Sequence, residues 1–129
     1  MKYVGEFKDG YRHGKGVMYE ASGFVEYTGM WRHNRYHGHG TLSNVNAEDN
    51  YEFVPEDFNT LGDHWAKFEG EFADGLMMGE GTYTFVDGSF FTGKFKKDRV
   101  DGKGALVAPG GTIKKPKMTG VWKMDRLVK

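Results

Sequence analysis

Few residues in this chain are suited to chemistry. His37-Gly38-His39 sets two imidazoles at alternate positions of a strand-like stretch, so both point to one face and could ligate a metal. A third ligand would have to come from His33 or from an acidic residue of the segment 44–65. The same positions elsewhere in the chain hold His13/Lys15, Met78/Glu80 and Asp101/Lys103. Side chains so unlike one another argue for turn register, not a metal centre. Glu6, Glu69 and Glu71 could pair for acid–base work, but they alternate with aromatic residues and are expected to face solvent. Ser22, Ser43 and Ser89 fall in turns without a Gly-x-Ser-x-Gly context. The glycines punctuate strands and lead into no helix, so they form no phosphate cradle. There are no cysteines, which excludes thiolate nucleophiles, thiolate metal sites and disulfides. The expectation is a protein that is not an enzyme, with no catalytic residues, no metal and no cofactor.

What positions these residues is a repeat. Tyr3-Val4-Gly5-Glu6-Phe7 is followed by Asp9-Gly10 and Gly14-Lys15-Gly16. Tyr27-Thr28-Gly29-Met30-Trp31 leads to Gly38-His39-Gly40. Phe68-Glu69-Gly70-Glu71-Phe72 leads to Asp74-Gly75 and Gly79-Glu80-Gly81. Phe91-Thr92-Gly93-Lys94-Phe95 leads to Asp98 and Gly102-Lys103-Gly104. Met118-Thr119-Gly120-Val121-Trp122 begins a truncated fifth copy. On a strand, the two aromatics and the glycine between them share one face. That glycine leaves a gap into which a ring or a backbone can come close. Asp9-Gly10, Asn34, Asp74-Gly75 and Asp98 tolerate the positive φ of a tight reversal. Each unit therefore reads as a β-hairpin, and hairpins of this length gain stability by stacking.

Composition agrees. Only 38% of residues are hydrophobic, yet 16% are aromatic and 20 of 129 are glycine. A turn-rich β structure with a few ring-filled positions fits, because each ring buries much apolar area. The formal net charge is zero, so no global field draws the chain to nucleic acid, and none is expected as a partner. No apolar run approaches the length of a membrane-spanning helix. A cytoplasmic setting is the expectation.

The frame aromatic-x-Gly-x-aromatic, turn, Gly-x-Gly resembles the MORN (membrane occupation and recognition nexus) repeat. The resemblance covers units near 3–25, 27–43, 68–90 and 91–111 and a partial unit 118–127. It implies an all-β fold, an elongated single-layer twisted antiparallel sheet of stacked hairpins with one long insertion loop. It also implies a module in which form is shared and biochemistry varies. MORN proteins serve as cytoskeletal and ciliary scaffolds, as junctional membrane proteins, or as appendages to lipid kinases and lysine methyltransferases.

Two segments depart from the repeat. The insertion 44–65 carries Glu48, Asp49, Glu52, Glu56, Asp57 and Asp63 together with Tyr51, Phe53, Phe58, Leu61 and Trp65. Acidic residues mixed with rings suggest an ordered loop that packs on something, either its own sheet or a partner. The C-terminal stretch is basic, with Lys114, Lys115 and Lys117 close together. They are candidates for contact with anionic lipid or an acidic, tubulin-like surface, or simply form a solvated end.

The first-strand rings Tyr3, Phe7, Tyr27, Trp31, Phe68, Phe72, Phe91, Phe95 and Trp122 read as core. The second-strand residues Tyr19, Tyr83 and Phe85, with Met77 and Met78, are better placed to line a groove. That groove, with Tyr51, Phe53, Phe58 and Trp65 of the insertion, is the candidate partner-binding surface. The functional expectation is a scaffold or adaptor docking a protein segment along its sheet face within a larger assembly. By the resemblance, that assembly is ciliary, axonemal or cytoskeletal. The alternative is a peripheral membrane module binding anionic phospholipid.

Overall fold

The computed structural model describes residues 1–129 as ten antiparallel strands in a single sheet. They are β1 (Lys2–Lys8), β2 (Tyr11–Tyr19), β3 (Val25–Arg32), β4 (Arg35–Ser43), β5 (Trp65–Ala73), β6 (Leu76–Phe85), β7 (Phe90–Lys96), β8 (Arg99–Val107), β9 (Met118–Lys123) and β10 (Arg126–Leu127). Spatial order follows chain order throughout. The sheet crosses the insertion without a break, since β4 pairs directly with β5. No helix is long and apolar enough to cross a membrane.

The register is set by glycine. Gly5 pairs with Gly16, Gly16 with Gly29, Gly29 with Gly40, Gly40 with Gly70, and so on through Gly81, Gly93 and Gly104 to Gly120. One glycine row thus crosses nine strands. The reason is steric. The first ring of each unit folds over the glycine pair of its own hairpin: Tyr3 over Gly16, Tyr27 over Gly40, Phe68 over Gly81 and Phe91 over Gly104. A Cβ at any of these four glycines would fall inside the ring. In the fifth unit Leu127 takes the ring's place over Gly120.

The first glycine of each Gly-x-Gly has another task. Past the glycine pair every full hairpin slips register, so that Glu6, Met30, Glu71 and Lys94 each face three residues of the return strand. At the centre of each bulge stand Gly14, Gly38, Gly79 and Gly102, with φ of 76°, 93°, 78° and 128°. Glycine adopts this backbone without steric cost. In the first unit the Glu6 carboxylate accepts the bulge's Lys15 N–H at 2.9 Å.

The two-residue hairpin turns have positive φ at both positions: Asp9-Gly10, His33-Asn34, Asp74-Gly75, Lys97-Asp98 and Met124-Asp125. This twist matches that of the flanking strands. Where the second position is not glycine, its side chain reaches the preceding unit. Asn34 Oδ1 accepts the N–H of Arg12, Asp98 Oδ1 that of Met77 and Asp125 Oδ1 that of Val100, each at 2.8 Å. The N–H groups of Asn34, Asp98 and Asp125 donate back to the carbonyls of the same three residues. Gly75 makes only the returning bond, to Tyr36. Each latch carries hydrogen bonding across the unit boundary beyond the end of the ladder.

Rings of successive units pack edge-on along one face. Trp31 meets Tyr3 at 5.3 Å, Phe72 meets Tyr27 at 5.5 Å, Phe95 meets Phe68 at 4.9 Å and Trp122 meets Phe91 at 5.0 Å. Such T-shaped contacts place a positive ring edge on a negative ring face. The buried cluster therefore runs along the sheet as a continuous stripe.

Candidate functional site

The insertion decides where the ring face is open. Its single 3₁₀ turn, Phe58–Thr60, is capped by Asp57, whose carboxylate accepts the Asn59 N–H at 3.0 Å. Phe58 then sits on Phe91 at 4.7 Å and beside Trp122, and Phe53 sits on Phe85 at 5.2 Å. The Trp122 indole donates to the Pro55 carbonyl at 2.7 Å. Leu127 N–H donates to Glu56, and Phe58 N–H to Asp125. At the root of the loop, buried His64 accepts the Asn50 N–H on Nδ1 at 3.0 Å. The insertion is a lid on its own sheet. It covers the rings of the third, fourth and fifth units.

Over the first two units the same face is uncovered. There a hollow of about 450 Å³ has half-buried Tyr3, Arg12 and Tyr36 and exposed Arg35 in its walls, with Glu26 beside them and buried Met18 and Trp31 as its floor. Tyr36 lies flat on Tyr27, with ring centres 3.9 Å apart, and edge-on to Trp31. The Arg12 guanidinium lies 5.0 Å from the Trp31 ring centre and 5.9 Å from that of Tyr3, and it donates to the Asn34 carbonyl. A cation over two ring faces is stabilised by their quadrupoles. The Trp31 indole is satisfied internally by the Gly16 carbonyl at 3.1 Å. The Tyr36 hydroxyl donates to Glu26 at 2.9 Å. Burial, then the bond to Glu26, raises the Tyr36 pKa above the ordinary tyrosine value. Burial likewise raises that of Tyr3. The hollow thus combines apolar ring surface with two guanidinium groups and one carboxylate.

The residues singled out from sequence are distributed unevenly. Met77, Tyr83, Phe85 and Phe58 are buried in the core, and the last three pack in the lid–sheet contact. Burial removes them from any groove open to a partner. Sequence spacing could not show this for Tyr83 and Phe85, because the lid that covers them lies outside the repeat. Phe53 and Trp65 are half-buried, and Trp65 packs against Tyr83. Tyr19 and Met78 are half-exposed, and Met78 Sδ accepts the Lys97 N–H. Tyr51 is 94% exposed. Lys114, Lys115 and Lys117 are exposed in or beside the β8–β9 loop, next to Ile113, which is also exposed. His37 and His39 turn to different acids: His37 lies 3.9 Å from Asp74, and His39 lies 3.4 Å from Glu69 and 3.6 Å from Glu71. Arg12 and Tyr36 carry no sequence signal beyond the repeat frame; only their position against the first two rings gives them a role.

The fold and its ring face define a class: an open hairpin-repeat module, one sheet face of which is partly closed by its own loop. More particularly, the chain belongs to the MORN-repeat family, whose model, described as "MORN repeat", matches residues 3–23, 27–46 and 68–90. The fourth hairpin and the fifth follow the same geometry in the structure, through Gly93, Gly104 and Gly120. The chain is 31% identical over 125 residues to alsin of Homo sapiens, and equally to alsin of Mus musculus. The match takes in 96% of this chain, which spans only 7% of the length of these relatives. MORN repeats make this a protein- or membrane-binding repeat module.

Proposed function

We propose that this protein is a non-catalytic adaptor that docks a segment of a partner protein on the ring face over its first two units, as one subunit of a larger assembly. One observation carries the reading. The chain's own insertion already lies along the ring face of units three to five, while the matching face of units one and two is open. In support, the lid is itself an irregular, ring-bearing segment packed on the equivalent face of units three to five. By resemblance to other MORN proteins, the proposed setting is cytoplasmic, in a cytoskeletal or ciliary complex.

The test is a photo-crosslinking residue at Arg35, on the exposed wall of the hollow, compared with one at Thr92, outside it, in cell extract. A protein captured from Arg35 alone, and rebinding when purified, is the expected result. Equal capture from both positions, or none, would count against the adaptor reading.

A second reading has its own observation. Exposed Ile113 stands beside Lys114 and Lys115, with Lys117 near, so one loop offers an apolar tip among cations. Such a loop suits an anionic bilayer surface. Flotation with phosphatidylserine vesicles, lost when the three lysines are changed to glutamine, would support it. No flotation of the unaltered protein would end it.

A further inference from the structure

We infer that β1 is a self-association edge, which pairs antiparallel with β1 of a second copy about a two-fold axis through Gly5. The strand is Lys2-Tyr3-Val4-Gly5-Glu6-Phe7-Lys8. Its residue classes are the same read from either end: lysine, ring, back-face residue, glycine, back-face residue, ring, lysine. An antiparallel partner in that register sets Gly5 against Gly5 and continues the glycine row that orders every other strand pair. Tyr3 then faces Phe7 of the second copy, twice, on the ring side of the sheet. Val4 faces Glu6 of the second copy on the back.

Exposure marks the same edge. Phe7 is 62% exposed, whereas its counterparts Trp31, Phe72, Phe95 and Trp122 are 3%, 4%, 3% and 1% exposed. Each counterpart is closed by rings of the unit before it, as Trp31 is by Tyr3 and Phe95 by Phe68 and Tyr83. Phe7 has only Tyr3 of its own strand, at 5.0 Å. Phe7 is thus the one ring at this place in the repeat that stays open at its strand edge.

The opposite edge excludes head-to-tail stacking. β10 has only two residues. Its outer side is taken by the lid, where Leu127 N–H donates to Glu56 and Arg126 bridges to Asp57. With one edge capped and one open, two copies can pair only edge to like edge. That contact is isologous and closes at a dimer instead of growing a fibre. The lysines at the two ends of β1 guard the edge against promiscuous pairing. They also set Lys2 near Lys8 of the second copy, so added salt, by screening that repulsion, tightens the dimer.

The experiment is light-scattering mass after size exclusion at about 100 µM, in low and in high salt. The expected mass is twice the 14.6 kDa of the chain, with a larger dimer fraction in high salt. Phe7→Lys, at an exposed position, should give a monomer with its melting temperature nearly unchanged. Register is read separately, since the chain has no cysteine of its own. The double variant Val4→Cys/Glu6→Cys should oxidise to a covalent dimer. Val4→Cys alone should not, because the axis leaves its two copies offset beyond the roughly 7 Å Cα limit for a disulfide. A monomer in both salts, a dimer that survives Phe7→Lys, or equal crosslinking of the single and double variants would each overturn the assignment.

Discussion

The indole N–H of Trp122 donates to the carbonyl of Pro55 at 2.7 Å, joining two residues 67 positions apart in the chain. This bond ties the last full ring of the stripe to the only long loop. It makes Trp122 a reporter for the lid.

Phe58→Ala removes the ring that rests on Phe91 and Trp122. A buried Phe truncated in a packed site costs about 3–5 kcal/mol. Denaturant unfolding should show a loss near the lower end, because the lid can partly collapse. Trp122 emission should shift to the red, with Trp122→Phe as the control. An unshifted spectrum would mean that the lid does not seat on that ring.

The two glycines of one Gly-x-Gly should respond differently to alanine. Gly81→Ala sets a methyl inside the Phe68 ring, and overpacking of this kind typically costs 1–3 kcal/mol or more. Gly79→Ala meets nothing nearer than 3.7 Å, at Glu71, and pays only for its φ of 78°, about 1–2 kcal/mol. Gly79→Asn should recover part of that loss, since asparagine tolerates the left-handed region. Equal losses at the two positions would contradict their separate roles.

The turn latch can be tested at Asp98. Asp98→Gly keeps the positive φ but removes the acceptor of the Met77 N–H. Leaving that donor unpaired should cost about 1–2 kcal/mol. Asp98→Asn should be nearly neutral, because Asn34 already plays the same part for Arg12. Thermal melts of the two variants decide the point.

Alkali gives a titration with a defined sign. Burial raises the pKa of Tyr27 and of Tyr83 well above the ordinary value of 10.0. In the unfolded chain both ionise near that value, so above it the unfolded state holds fewer protons than the folded one. Stability should therefore be level below about pH 10 and fall as pH rises further. Tyrosinate absorbance from these two residues should appear together with loss of the sheet, checked by replacing each with Phe. Ionisation of either in the folded sheet would show that its ring is accessible.

Much of this architecture was legible in the chain. Ring, glycine and ring at alternate positions can bury only one face of a strand. With Gly-x-Gly and a turn following each time, stacked hairpins are the available solution. The repeat also set the register, because only a glycine fits beneath Tyr27 or Phe68. These are local, periodic constraints, and periodicity is what a sequence displays.

The accessible surface was decided elsewhere. Tyr83 and Phe85 carry the same residue types whether or not something lies on them, and Phe58 reaches that face only after the chain has left the repeat and returned. Likewise Arg12 becomes a groove residue because Tyr3 and Trp31 come together beneath it from two different units. Sequence alone determined the repeat, its turns and its glycine row, through sterics within a hairpin and its neighbour. Tertiary structure alone determined which stretch of ring face stays open, because that depends on where a non-repeating loop lands across long sequence separation.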